Sequence, residues 1–411
     1  MTREISSQTP ETPPQALNDV APGPESDDRR RFLGGLAVGA AGVLLACDKG
    51  KGEPPPKAAE GMEAAKPEPT KPGPAEGMEV AKPEPTKPGP AEGMEVAKPE
   101  PVKPAVAAGK SRIVQVVNAK AYDPKGKPAA APVKEMVDRA VMELTGKATP
   151  KEAWSSLFQP GEKVGLKPNC LGKHLCWPNE ATVDAIIEGL LSAGVPYGNM
   201  YMWDMWGFDA SPLSTRYRKS PMQVKPIKVW GYDRQTFKIA SGPPVHFTKP
   251  LMLVDAVVNI GVVKDHDLSG VTCALKNLAF GSIPNPFAFH GTKDGKKLCD
   301  PTVPEIYALD PIRKKARLIL VDAFNIIVNG GPRGNPGGLR KLHSVFAATD
   351  PVAMDRTAWT IIDGFRKQAN LPLLMDRPEA RGRPTHVLSA EKLGLGTADP
   401  AKIDHLVKTI G

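Results

Sequence analysis

Three short segments place an ammonium group beside hydrogen-bonding side chains: Lys167-Pro168-Asn169-Cys170, Lys264-Asp265-His266 and Lys276-Asn277. Lysine holds negative charge, imidazole moves protons near neutral pH, and carboxamides orient a polar ligand. In that chemistry Lys167, Lys264 and Lys276 bind an anion. His266 and Lys276 are the catalytic candidates, His266 as acid/base or as a ligand, and Asn169 and Asn277 orient what is bound. Asp204 or Asp322 polarises His266 or binds a cation. Lysines brought close together repel unless a bound anion or a nearby carboxylate screens them. The set therefore implies a small anionic ligand, or Asp204 or Asp322 close by.

Cys170, His174 and Cys176 fall within seven residues, directly after the first lysine segment. Cys and His at this range can ligate zinc, iron or an iron–sulfur cluster. A Cys170–Cys176 disulfide and free thiols are the alternatives, and the spacing matches no strong metal motif. Cys273 reads as a core residue. His290 and Cys299 flank a loop rich in Gly and Lys that can close over the site, although a lone loop histidine is more often a surface residue. The glycines of 330–338 form a loop whose amides can cradle an anion; a surface loop is the simpler reading. The sequence has neither a Gly-x-Ser-x-Gly turn nor a Gly-rich loop ahead of a lysine and a hydroxyl residue.

These residues must be positioned by something, and the pattern supplies alternating elements. Ile113 to Val117, Lys163 to Leu166, Asn199 to Trp203, Ala256 to Val263, Ala316 to Val321 and Val345 to Ala347 read as strands. Val133 to Leu144 has apolar residues at helical spacing. Glu180 to Ala193 reads as a helix ended by Gly194, and Asp350-Pro351 opens another through Ile362. A helix is expected from near Ser269, its N-terminal amides turned to the ligand. Asp209 to Thr248 is irregular and reads as a second small sheet. Strands alternating with helices predict an α/β fold, a mainly parallel sheet with helices on both faces, in one or two lobes. The lysine, histidine and carboxylate candidates sit just past four strand ends, where open α/β sheets bind ligands.

Taken together, Leu166-Lys167-Pro168-Asn169, Ala181-Thr182-Val183, Lys264-Asp265-His266, Leu275-Lys276-Asn277 with Gly281, and Asp350-Pro351-Val352-Ala353-Met354-Asp355 resemble the domain of unknown function 362 family over residues 112–400. The family usually has Lys-Thr-His where this chain has Lys264-Asp265-His266. Many relatives also carry a ferredoxin-like cysteine cluster, which this chain lacks, so electron transfer through such a module is not implied. The resemblance implies the fold and the candidate site rather than a reaction.

Ahead of that domain, Arg29-Arg30-Arg31-Phe32-Leu33 opens an uncharged run ending Leu44-Leu45-Ala46-Cys47. The arginine pair resembles a twin-arginine export signal, with the twin-arginine machinery as partner. The run is shorter than the roughly 20 residues that cross a bilayer. Its end resembles a lipobox, which makes Cys47 the lipidation site and residues 1–47 the signal. Asp28, Gly34 and Leu45 depart from the usual residues of such signals. Residues 48–110 hold 14 prolines and a 16-residue repeat, with Glu60-Gly61-Met62-Glu63 recurring from Glu76 and from Glu92. That composition has too little apolar surface to offset ordering entropy, so a disordered linker is expected.

Residues 111–411, the α/β domain, carry 40 basic and 28 acidic side chains, a net +12. Anionic ligands and membrane surfaces fit that charge. No nucleic-acid partner is expected, because no run interleaves basic and aromatic residues. The resulting expectation is an exported, lipid-anchored envelope or periplasmic α/β protein. Its site for a small anionic ligand is assisted by a metal ion, an iron–sulfur cluster or another cofactor, with redox chemistry as one form. A non-catalytic binding module and a structural envelope protein are the alternatives.

Overall fold

A computed structural model describes residues 109–291, 299–378 and 382–411. The export signal, Cys47 and the repeat linker lie outside the described residues, as does the centre of the loop between His290 and Cys299.

Nine strands form one sheet among the described residues: β1 (Ser111–Val117), β2 (Val164–Pro168), β3 (Met200–Met202), β4 (Gln223–Val224), β5 (Ala256–His266), β6 (Gly270–Thr272), β7 (Ala316–Ile327), β8 (Leu339–Ala348) and β9 (Ile403–Thr409). Their order is β4-β3-β2-β5-β7-β8-β1-β9, with β6 folded back on β5. Parallel pairing joins β4, β3, β2, β5 and β7, and also β1 and β9. β8 runs antiparallel to both β7 and β1. The predicted, mainly parallel α/β sheet is thus observed as one sheet rather than two lobes.

Alternation along the strands splits the core into two layers. Val114, Val116, Leu166, Met202, Val258 and Leu320 pack with helices α1 (Ala130–Thr145), α2 (Pro150–Leu157) and α3 (Glu180–Ser192). Ile113, Val257, Ile319, Val321 and Phe346 pack on the other face with α4 (Leu275–Phe280), α5 (Pro351–Gln368) and α6 (Thr385–Lys392). Every residue of β5 is buried, as expected of a central strand covered on both faces.

Helix boundaries follow local chemistry. Thr149 and Glu152 form a reciprocal capping box at α2. Asp350 accepts from Val352 N and Ala353 N at 2.8 Å, with Pro351 opening α5 as predicted. Among the described residues, no helix is long and apolar enough to cross a membrane.

Three expectations are corrected. β5 and β7 run past their predicted ends, so Lys264, His266 and Asp322 lie inside strands rather than beyond them. Gly270–Thr272 forms β6 instead of the start of a helix, because Gly270 turns the chain with a positive φ of 76° and pairs back with His266. Residues 209–248 make no second sheet. Gln223–Val224 joins the main sheet, and the rest holds two isolated bridges, Tyr232 to Thr248 and Phe237 to Val245.

Candidate functional site

β2, β5 and α4 bring Lys167, Asn169, Lys264, His266, Lys276 and Asn277 into one buried cluster. Three linked groups compose it.

The first is a closed ion pair. Lys167 Nζ lies 2.8 Å from Asp204 Oδ1, and it donates to Asn277 Oδ1 and Pro168 O, also at 2.8 Å. Asn277 Nδ2 reaches Asn259 Oδ1 at 2.7 Å and Lys167 O at 3.2 Å, which ties α4 to the strands beneath. Asp204 also accepts the amides of Cys170 and Met205. A methyl group at Gly281 would sit 2.2 Å from Lys167 Cε, so the lysine reaches its partners only across a glycine. Lys167 is therefore saturated by protein groups.

The second is not. Lys264 is fully buried and donates to Asn169 Oδ1 at 2.8 Å, with no carboxylate within 4 Å among the described residues. Burial pulls its pKa down to about 8; Lys276 and Lys167 add to the fall, while Cys176 and Asp204 oppose it. Using Oδ1 on Lys264 leaves the Asn169 amide hydrogens free to meet a ligand.

The third is a lysine between two imidazoles. Lys276 Nζ lies 3.0 Å from His266 Nε2 and 3.1 Å from His290 Nε2, and the two rings stack at 5.7 Å. Among the described residues Lys276 also lacks a carboxylate within 4 Å, and burial lowers its pKa against the opposing pull of Cys299 and Asp267. His266 is driven well below the ordinary histidine range, by burial first and by Lys276 next. Burial and Lys276 bring His290 down to about 3. Both rings are thus neutral at physiological pH. Cys299, near Lys276, holds a positive φ of 69°, an uncommon conformation for a non-glycine residue.

Carboxylates around the cluster hold its parts in place. Asp265 pairs with Arg377 at 2.6 Å and accepts Gly331 N at 2.6 Å, while Arg377 also donates to His266 O. A Cβ at Gly331 would fall 1.8 Å from Asp265 O. The glycine loop therefore braces β5 rather than cradling an anion. Asp355 accepts the amides of Ala274 and Leu275, at 2.5 and 3.2 Å, so the start of α4 is already occupied by a protein carboxylate. That overturns the expected anion-facing helix end. Asp322 accepts Asn179 N at 2.8 Å, the Asn179 amide, Thr182 Oγ1 at 2.6 Å and Phe324 N. It anchors α3 to β7. Burial raises its pKa, against the pull of these hydrogen bonds. Neither Asp204 nor Asp322 contacts His266; among the described residues its Nδ1 meets the Asp267 carboxylate, at 3.2 Å.

The expected Cys170, His174 and Cys176 metal set does not assemble. Cys170 and Cys176 point inward as free, buried thiols, while His174 is exposed on the intervening turn. Among the described residues, no group of three His, Cys, Asp or Glu is placed to hold a metal ion. The cysteines also belong to different apolar clusters, which leaves the disulfide unformed. Burial raises both thiols, Cys176 to about 12, and Cys176 Sγ lies 3.3 Å from Asn325 O.

His290 is the residue that sequence reasoning set aside as surface. Two aromatic residues just ahead of it, Phe287 and Phe289, were the available signal, and Phe289 is the buried one of the pair. The exposed Phe287 ring meets exposed Trp206 edge-on at 5.2 Å and lies 5.7 Å from His290, so the solvent-facing side of the cluster adjoins His290.

Residues 164–360 match the family described as a domain of unknown function (DUF362). The match holds Lys167, Lys264, His266, Lys276, His290 and Asp355, and it is shorter than the expected 112–400. No curated protein matches the chain. Among solved structures, that of the lactate racemase apoprotein from Thermoanaerobacterium thermosaccharolyticum is similar, with a TM-score of 0.38 at 12% identity. It covers 58% of this chain and 54% of that one, so the chain spans about half of that protein's length.

Proposed function

We propose that this chain binds a small anion at Lys264 and Asn169 and moves a proton on it with Lys276, His266 and His290, and that it does so at the cell envelope, tethered through Cys47. The observation that carries the site reading is that Lys264 is buried with no carboxylate partner among the described residues, 2.8 Å from Asn169 and electrostatically coupled to Lys276. A buried cation in that state gains most from an anionic partner. Lys167 differs, because Asp204 already neutralises it, so its role is to fix Asn277 and α4. The envelope reading rests on the Arg29-Arg30 segment and Cys47. A cofactor brought by the ligand side would meet the same Lys264 and Asn169 donors.

Calorimetry with formate, oxalate and inorganic phosphate tests the site. One of these should bind one to one, and Lys264→Met should weaken it by about 10- to 100-fold, the range of a hydrogen bond to a charged group. Equal binding by wild type and variant, or none by either, would sink the reading. The near-complete burial of Lys264 and His266 favours a second reading, a module that captures the anion without turning it over. Proton exchange on the bound molecule in heavy water, followed by NMR, separates the two.

A further inference from the structure

We infer that Lys276 is a neutral amine that condenses with the carbonyl group of an anionic oxo acid, so that the substrate is held as an imine. The inference rests on the anion site proposed above and names the class of molecule that fills it.

The hydrogen-bond directions around Lys276 carry the argument. Leu268 N donates to His266 Nδ1 at 3.0 Å, so that nitrogen is an acceptor and the ring proton lies on Nε2. His290 Nδ1 lies 2.7 Å from Pro286 O, which can only accept, so the His290 proton is on Nδ1 and its Nε2 carries a lone pair. Lys276 Nζ is in contact with both Nε2 atoms. It must accept from His266 and donate to His290. An ammonium has three donors and no acceptor, so this pattern fits an amine with its lone pair held by His266. The alternative would place the His266 proton on Nδ1 towards Asp267 and forfeit the Leu268 bond. The Phe280 ring, 5.0 Å from Nζ, favours the ammonium, and burial works against it.

A neutral lysine amine is a nucleophile at physiological pH. Its nitrogen attacks the carbonyl carbon, forming the C–N bond while the carbonyl π pair moves to oxygen. His266 Nε2–H, released from the lone pair, donates to that oxygen. With His266 supplying a hydrogen bond and keeping its proton, His290 Nε2 relays the two protons of the nitrogen in turn, the first to the oxyanion to make a hydroxyl group and the second to that hydroxyl group, which leaves as water. The products are one imine and one water, with no oxidant or reductant needed. Lys264 and Asn169 hold the carboxylate of the same molecule.

Reductive trapping tests this with the full chain. The protein is incubated with sodium cyanoborohydride and either glyoxylate, an anionic oxo acid, or acetaldehyde, a neutral carbonyl compound, and Lys276 is read by peptide mass mapping. Glyoxylate should label Lys276 at least tenfold faster than it labels exposed lysines such as Lys314, and Lys264→Met should remove that preference. Equal labelling of Lys276 by glyoxylate and acetaldehyde would uphold the amine and sink the anion site. Labelling confined to exposed lysines, with formate or oxalate still bound in calorimetry, would overturn the amine and leave the anion site standing. Melting curves of Lys276→Met confirm that loss of label is not loss of fold.

Discussion

Two buried lysines a short distance apart behave differently because their partners differ. Lys167 has Asp204 at 2.8 Å, and Lys264 has a carboxamide. Replacing Asp204 with Asn should destabilise the fold by about 3–5 kcal/mol, the cost of leaving a buried charge unpaired. Urea denaturation measures it, and a change below about 1 kcal/mol would show that Lys167 is relieved by other groups. Lys264 gives the opposite sign. Its folded pKa of about 8 lies below the ordinary 10.5, so the unfolded chain binds more protons between those values. The penalty, on the order of 3 kcal/mol, is complete below about pH 8 and fades as pH rises towards 10.5. Wild-type stability should therefore climb across that window relative to Lys264→Met, whose curve lacks the term. Lys167, Lys276, Asp204 and Cys176 face the same ammonium. A bound anion raises the Lys264 pKa, so anion binding near pH 8.5 should take up protons, seen as a dependence of the calorimetric heat on buffer ionisation enthalpy.

At the scale of elements, α4 is six residues long and carries both Lys276 and Asn277. A helix that short is not stable by itself. It is held at its start by Asp355 from α5, and along its length by Asn277 and Asn259. Asp355→Ala strands two buried amides and should cost about 1–3 kcal/mol. It should also weaken anion binding, although Asp355 does not touch the Lys276 amine. Asp355→Asn keeps an acceptor oxygen and should recover part of both losses. If Asp355→Ala leaves binding untouched, α4 is positioned by something else. Gly281→Ala inserts a methyl group where Lys167 passes, and should cost about 1–3 kcal/mol through overpacking.

For the whole molecule, the sheet order places β2, β5 and β7 side by side at its centre, where the parallel carboxyl ends of β2 and β5 carry Lys167 and Lys264, while Asp322 lies mid-strand in β7 and anchors α3. The basic net charge of residues 111–411 suits an anion arriving at that end. Cell fractionation tests the envelope proposal. Arg29→Lys with Arg30→Lys should keep the protein in the cytoplasm, and Cys47→Ser should release it from the membrane fraction. Unchanged processing and location in both would remove that proposal while leaving the site untouched.

What the sequence by itself determined was the fold class, most strand and helix positions, the Asp350 cap and the lysine-bearing segments. Those are carried by local periodicity and capping chemistry, which act over a few residues and survive reading in one dimension. It did not determine which carboxylate serves which lysine. Asp204, Asp322 and Asp355 are equivalent on paper, yet one neutralises Lys167, one anchors α3 and one caps α4. Nor did it determine that Cys170 and Cys176 turn to different apolar clusters while His174 faces out. His290 joined Lys276 only through the fold, since the state of an amine depends on burial and on hydrogen-bond directions from three separate segments. Those are pair properties of residues far apart in the chain, and only tertiary packing sets them.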